Sequence, residues 1–201
     1  MKVTKEGYPF LIPLLLITVL LFILRFPVAG FFLLLLSFAT GWFFRDPERI
    51  IPPGENLILA PADGVVVEAG EEGDKKKVSI FMRLFDVHIN RSPISGKITD
   101  SEYKKGRFHP AFRPEAGSEN EQHRITLVSR SRRIELTQIA GVIARRISFW
   151  KKVGDEVKAG ERIGMIKFGS RVELVLPREA SLLVKVGDKV KAGETIIGEL
   201  N

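Results

Sequence analysis

The sequence predicts a mainly β protein, a compact β-sandwich or barrel preceded by an N-terminal apolar helical hairpin. The hairpin is predicted because residues 9–44 contain a single charge, Arg25. The β class is predicted because short β-branched runs alternate with glycine-bearing turns beyond residue 57. A duplicated glycine-turn motif near the C-terminus also favours a β-domain with internal repetition.

The N-terminal apolar window divides into residues 9–24 and 28–44, separated by "RFP". Pro27 disfavours a helical conformation at the residue before it, so two short helices are predicted. At 1.5 Å per residue these helices span roughly 24 to 26 Å, less than the roughly 30 Å hydrocarbon core of a bilayer. The alternatives are two membrane spans, a shallow hairpin in one leaflet, and one long bent helix.

The charges that flank this window indicate its orientation. Lys2 and Lys5 precede it, and Arg45 and Arg49 follow it. The positive-inside rule therefore predicts that both ends lie in the cytoplasm, with the remaining chain on the cytoplasmic side of the cell membrane. The net charge of +7 then favours anionic lipid head groups over nucleic acid as the electrostatic partner.

The composition shifts define three segments: an anchoring hairpin over residues 1–44, a proline-rich linker over residues 45–56, and a β-domain over residues 57–201. The segment "KKGRFHPAFRPEAGSENEQH" has no clean period and reads as a long functional loop. Predicted strands cover residues 57–68, 77–83, 124–129, 134–140, 171–176 and 182–186.

One internal repeat stands out. "VGDEVKAGERIG" at residues 153–164 recurs as "VGDKVKAGETII" at residues 186–197. The pattern of strand, glycine turn and short strand resembles the half-units of biotinyl and lipoyl carrier domains. Carrier function is not expected, because Lys167 lies in an apolar run instead of at an exposed hairpin tip. We interpret the repeat as two related half-units packing around Gly169-Ser170.

Three residue types suggest chemistry: Asp63 in "APADGVV", His88 in "FDVHINRSPISG" and Ser170 in "FGSRVELVLP". A nucleophilic hydroxyl needs an acceptor for its proton and a group that orients the acceptor. Each residue also has a structural interpretation, as a turn residue, a core-edge histidine and a bend residue. Cysteine is absent and the histidines lack metal-ligand spacing, so we predict no metal site.

The chain resembles the short form of phosphatidylserine decarboxylase, a family of pyruvoyl-dependent membrane enzymes that includes archaetidylserine decarboxylases. The resemblance is carried by motifs that occur in order along nearly the whole chain: "FFRDPER", "APADGVV", "FMRLFDVHINRSPISG", "GRFHPAFRPEAGSENEQ", "QIAGVIARRI" and "IGMIKFGSRVELVLP". That many motifs in order are specific to the family, whereas any one of them is not.

The resemblance implies that the Gly169-Ser170 bond cleaves itself. The Ser170 hydroxyl would attack the Gly169 carbonyl to give an ester by N-to-O acyl shift. β-Elimination would then leave a dehydroalanine, which hydrolyses to a pyruvoyl group at residue 170. The products would be chain 1–169 and the 32-residue chain 170–201, held together as a heterodimer. The pyruvoyl group would form a Schiff base with phosphatidylserine, or with an ether-lipid analogue, and yield the ethanolamine lipid after loss of CO₂.

The resemblance further implies that Asp63 and His88 assist self-cleavage and turnover. The chain departs from the longer family forms at two positions, Arg91 in place of a second histidine and Arg171 in place of a small hydroxyl residue. Two other classes of function stay open: a non-catalytic membrane-tethered β-domain that binds anionic lipid or a protein, and a serine hydrolase. The serine hydrolase is disfavoured because "KFGSRV" lacks the G-x-S-x-G elbow.

Overall fold

The computed structural model describes residues 2–111, 113, 115–130, 132–141, 146–167 and 170–200. The chain divides into two compact units, Met1–Glu48 and Arg49–Asn201.

The first unit contains two helices, α1 (Tyr8–Ile23) and α2 (Pro27–Phe43), and two short strands, β1 (Lys2–Val3) and β2 (Arg45–Asp46), which pair antiparallel. The helices pack on each other, and small residues allow their close approach. A Cβ added at Gly30 would lie 3.1 Å from the ring of Phe22. Among the described helices, none is both long and apolar enough to cross a membrane.

The second unit is mainly β. Its elements are β3 (Leu57–Leu59), β4 (Gly64–Glu72), β5 (Lys75–Met82), β6 (Ile89–Arg91), β7 (Gly96–Lys104), α3 (Ala116–Glu119), β8 (Gln122–Ser129), β9 (Arg132–Ala140), β10 (Ile147–Phe149), β11 (Glu156–Val157), β12 (Arg162–Ile166), β13 (Ser170–Pro177), β14 (Ser181–Leu182), β15 (Lys189–Val190) and β16 (Ile196–Glu199).

Eight strands form one sheet in the order β11-β7-β8-β9-β13-β5-β4-β15, which curls into a half-barrel. Two three-stranded sheets, β10-β12-β6 and β14-β16-β3, complete the unit. Alternate residues of the long strands fill the core, as on β13, where Val172 and Leu174 are fully buried. We call the core-facing side of the eight-stranded sheet its inner face.

The mainly β class predicted from the sequence is confirmed, and the sheet is a half-barrel. Each of the six predicted strands overlaps a strand of the structure. The sequence reading missed the nine-residue strand β7. It also missed the shorter strands, including β6, β12 and β16. These have three to five residues each, too few to show a period.

The two glycine turns of the sequence repeat have the same local geometry. Gly154 and Gly187 have φ values of 99° and 96°. Their N–H groups donate over 2.8 Å to the carbonyls of Ile98 and Val66, respectively. Each turn thus attaches one short strand, β11 or β15, to an end of the eight-stranded sheet.

Candidate active site

Ser170 is the first residue of β13, at the middle of the eight-stranded sheet. Its backbone pairs with Met82 on β5 and with Ala140 on β9. The residue is fully buried, and its hydroxyl donates to Met82 Sδ over 3.2 Å. Thioether sulfur is a weak acceptor, so this contact leaves the serine oxygen chemically available. Gly169, the other half of the predicted scissile bond, lies outside the described residues.

His88 is fully buried and comes directly before β6. Its Nδ1 lies 2.9 Å from the carbonyl oxygen of Asp86. A carbonyl can only accept, so Nδ1 carries the proton and the lone pair of the neutral ring is on Nε2. The His88 carbonyl also accepts a hydrogen bond from the Ile166 N–H over 3.3 Å. The histidine is therefore held as a potential base through Nε2.

A chain of polar contacts joins the strand of His88 to Ser170. Asn90 lies two residues after His88, and its Nδ2 is 3.7 Å from Met82 Sδ, the same sulfur that Ser170 contacts. Asn90 and Ser170 therefore contact the same buried sulfur atom from β6 and β13. The structure thus brings Ser170 and β6, the strand that begins directly after His88, to one buried location.

Asp63 is held elsewhere by its contacts. Its carboxylate accepts hydrogen bonds from Arg49 at 3.0 and 2.7 Å and from the Ala192 N–H at 2.8 Å. Both side chains of the Arg49–Asp63 ion pair are mostly buried. Among the described residues, no hydrogen bond joins Asp63 to His88 or Ser170. The structure thus shows an anchoring role for Asp63, and its predicted role in cleavage stays a prediction.

The long segment between β7 and β8 is attached beside Ser170. Asn120 Nδ2 donates to the carbonyls of Ala140 at 2.7 Å and His109 at 2.8 Å. Because Ala140 is the register partner of Ser170, this loop lies next to the start of β13. The prediction of a long loop is confirmed apart from the four-residue helix α3; Phe112 and Pro114 lie outside the described residues.

Arg171 is one of the two departures from the longer family forms, and its contacts show what it does in this chain. It points to the opposite face from Ser170, where it pairs with Glu173 and donates to Ser79 and to Glu68, the last at 3.3 Å. Neighbouring Lys77 belongs to the same network. Burial lowers the pKa of the Lys77 amine, but the surrounding carboxylates have the larger combined effect and raise this pKa above its usual value. Glu173 makes the largest contribution among these carboxylates. Arg171 thus balances the buried carboxylate of Glu173 and the partly exposed carboxylate of Glu68.

Arg91, the other departure, donates from Nη1 to the Gly160 carbonyl over 2.9 Å. The remaining histidines also have local roles. His109 pairs with Glu119 at 3.0 Å, and His123 lies 2.8 Å from Ser101 Oγ. Burial lowers the pKa of His123. Within the described ranges, no group of three or more His, Asp or Glu side chains could hold a metal ion.

Sequence reasoning missed three residues of this site: Met82, Asn90 and Gln138. Gln138 is fully buried and donates from Nε2 to Asn90 Oδ1 over 2.8 Å. The available signal was a polar residue at a core position of the alternating strand "IELTQIA". Asn90 and Met82 gave no such signal, because their proximity depends on how β5 and β6 meet in space.

Comparisons with known proteins show which family the chain matches. The family model described as phosphatidylserine decarboxylase matches residues 36–198. A phosphatidylserine decarboxylase proenzyme of Syntrophus aciditrophicus is 46% identical, over 87% of this chain and 86% of the relative. The proenzyme of Geotalea uraniireducens is 42% identical, over 98% of this chain and 96% of the relative. That of Geobacter sp. (strain M21) is 43% identical, over 87% and 86%.

Proposed function

Because the chain belongs to the phosphatidylserine decarboxylase family, and so is an enzyme that decarboxylates phosphatidylserine with a pyruvoyl group, we propose that Ser170 is the source of that group. The observation that carries this assignment is the burial of the Ser170 hydroxyl at the first residue of a central strand. Serine is the residue that self-cleavage requires, and glycine before it leaves the attacked carbonyl unshielded.

The residues around Ser170 fit such a group. Cleavage before Ser170 would free the start of β13, yet β13 pairs with β5 and β9 along its length. Backbone hydrogen bonds on both sides would hold the 32-residue chain in place after the break. The surrounding core would also keep water from the new carbonyl, which supplies the electron-accepting centre for loss of CO₂.

His88 is the proposed general base and later the proton donor. Its Nδ1–H is committed to the Asp86 carbonyl, so Nε2 is the atom that takes the Ser170 hydroxyl proton during attack on Gly169. The same nitrogen returns a proton to the product carbon after CO₂ leaves. A single histidine performs both tasks, because Arg91 occupies the position of the second histidine of longer forms.

Asp63 is retained in the proposal as the carboxylate that assists self-cleavage. What supports this role is the family resemblance, while the contacts with Arg49 and the Ala192 N–H hold the carboxylate in a fixed position. The proposed half-units of biotinyl and lipoyl type gain support from the matching glycine turns at Gly154 and Gly187.

Membrane attachment is also part of the proposal. Apolar side chains of α1 and α2 are largely exposed, including Ile23 at 71% and Phe38 at 70%. Apolar surface of this extent is characteristic of an interaction site, and a hairpin in the cytoplasmic leaflet fits helices of this length. Deleting residues 1–44 should release a self-cleaving β-domain into the soluble fraction and lower turnover on vesicles. A deletion variant that fails to cleave would contradict a purely anchoring role.

The test of the proposed function is intact-mass analysis of the purified protein. Self-cleavage at Gly169-Ser170 gives chains of 169 and 32 residues, the small one with a pyruvoyl group instead of an N-terminal serine. A single 22.5 kDa chain without decarboxylase activity would instead favour the non-catalytic membrane-tethered domain. A single chain labelled by a fluorophosphonate at Ser170 would indicate a serine hydrolase.

A further inference from the structure

Gln138 carries an unsatisfied acceptor in the core. Its side chain lies on the inner face of β9 between Leu136 and Ala140, and it is fully buried. Nε2 donates to Asn90, but Oε1 has no hydrogen-bond partner among the described residues. Leaving a buried carbonyl oxygen unpaired is costly, so a group that donates to it is expected at some stage of the enzyme's cycle.

The position of Gln138 relative to Ser170 follows from strand register. Ala140 pairs with Ser170, and Gln138 pairs with Val172, so Gln138 is a diagonal neighbour of Ser170 on the same face. Diagonal neighbours are separated by roughly 7 to 8 Å, which long side chains can bridge. A small head group placed at Ser170 therefore lies within reach of the Gln138 amide.

The amide is held from two sides. Asn90 Oδ1 accepts from Nε2, which directs Oε1 away from Asn90. On the other side, a Cβ added at Gly164 would lie 3.1 Å from Gln138 Nε2, so β12 packs closely against the nitrogen end of the amide. The nitrogen is thus enclosed, and the oxygen is the atom left for a ligand.

The chemistry of the substrate identifies that ligand. In the phosphoserine head group the carboxylate and the phosphodiester only accept hydrogen bonds, and the amine is the one group with N–H donors. The amine is also the group that must meet the carbonyl formed at Ser170. We infer that Gln138 Oε1 accepts a hydrogen bond from the substrate amine and positions it beside residue 170, an assignment that rests on the proposed function.

The experiment compares three variants. Gln138→Met keeps the length of the side chain but removes the acceptor, whereas Gln138→Glu keeps an acceptor oxygen. Thr137→Val is the matched control, since Thr137 is a buried residue of the same strand on the opposite face. Each protein is analysed by intact mass for self-cleavage, and by kcat and KM for soluble short-chain phosphatidylserine. Inhibition is measured with a short-chain lipid whose head group is 3-hydroxypropionate, which has the carboxylate without the amine.

Gln138→Met should self-cleave and yield the pyruvoyl-bearing small chain, while kcat/KM falls roughly 10- to 100-fold, as expected for losing a hydrogen bond to a charged donor. Inhibition by the amine-free lipid should be unchanged, because that lipid never used the acceptor. Gln138→Glu should recover part of the loss, and Thr137→Val should match the wild type.

The inference is overturned if Gln138→Met retains wild-type kcat/KM, if it fails to self-cleave, or if its affinity for the amine-free lipid falls as far as kcat/KM does. Each of these results leaves the proposed function intact as long as the wild type cleaves and decarboxylates. Failure of the proposed function would be visible separately, as an uncleaved or inactive wild-type protein.

Discussion

β9 and β13 are neighbours at the middle of the eight-stranded sheet, yet their first residues lie in opposite environments. They divide the sheet into two halves of four strands, β11-β7-β8-β9 and β15-β4-β5-β13, and each is the innermost strand of its half. β9 pairs antiparallel with β8 and begins at the partly exposed Arg132, opposite Ser129. β13 follows β12 of another sheet and begins at the fully buried Ser170. The first residue of β13 is therefore enclosed in the core, whereas the first residue of β9 is not.

A second comparison separates two roles of Asp63. The loop before β4 and the loop before β7 make the same contact: Asp63 Oδ1 accepts from Ala192 N–H at 2.8 Å, and Ser95 Oγ accepts from Ala159 N–H at 2.9 Å. A neutral serine is therefore sufficient to hold this turn. The negative charge of Asp63 is not needed for this turn, and in the structure it forms an ion pair with Arg49.

The largest expected effect is at the start of β13. Ser170→Ala removes the attacking oxygen, so the chain should stay intact and lack decarboxylase activity, as read by denaturing gel and product assay. Ser170→Cys retains a nucleophile and should cleave partially and more slowly. The matched control is Ser129→Ala beside the equivalent start of β9, which should cleave normally. Full activity in an uncleaved Ser170→Ala protein would contradict the proposal that the buried start of β13 carries the attacking residue.

Replacing His88 should have the next largest effect. His88→Ala removes the proposed base, and general-base assistance is worth about 10² to 10⁴ in rate, so cleavage should slow to hours or stop. The time course of fragment formation measures this directly. His109→Ala, which removes a contact with Glu119 and no proposed catalytic group, should cleave at the normal rate. Normal cleavage and turnover in His88→Ala would transfer the role to another residue.

Asp63→Ser sharpens the comparison of the two loops. Serine reproduces the cap seen at Ser95 but removes the closer of the two carboxylates that pair with Arg49, leaving Glu194 at 3.4 Å. Leaving a buried charge wholly uncompensated costs about 3 to 5 kcal/mol, so the remaining contact with Glu194 should keep the loss below that range. Chemical denaturation should show this loss of stability, and cleavage should slow if the carboxylate assists it. Cleavage at the wild-type rate in the destabilised variant would confine Asp63 to the anchoring role.

The smallest effect concerns His123 on β8. Burial lowers its pKa in the folded state, so the unfolded chain binds more protons just below the ordinary histidine pKa of about 6.5. The contribution of His123 to stability is therefore present at neutral pH and decreases as the pH falls through that range. Urea denaturation at pH 7.5 and 5.5 should show a smaller pH difference in His123→Gln than in the wild type. If the stability difference between the two pH values is the same in both proteins, His123 is not the source of that difference.

The sequence predicted those features that depend on local pattern. The apolar window predicted the positions of α1 and α2, and alternation predicted the long strands β5, β8, β9 and β13. Motif resemblance predicted roles for Ser170 and His88, and both residues are fully buried. Contacts between distant strands were beyond such reasoning. The contacts among Asn90, Met82 and Gln138 depend on how three strands pack. The Arg49–Asp63 ion pair joins two residues of the second unit that lie on separate loops, which no local pattern relates.

The central claim is that residue 170 becomes the electrophile that receives the substrate amine. The most direct measurement is mass analysis after borohydride reduction in the presence of phosphatidylserine. The account predicts that the lipid mass is added to the 32-residue chain beginning at residue 170, and that activity is lost in proportion. Lipid trapped on the 169-residue chain, or no trapping by a fully active enzyme, would contradict it.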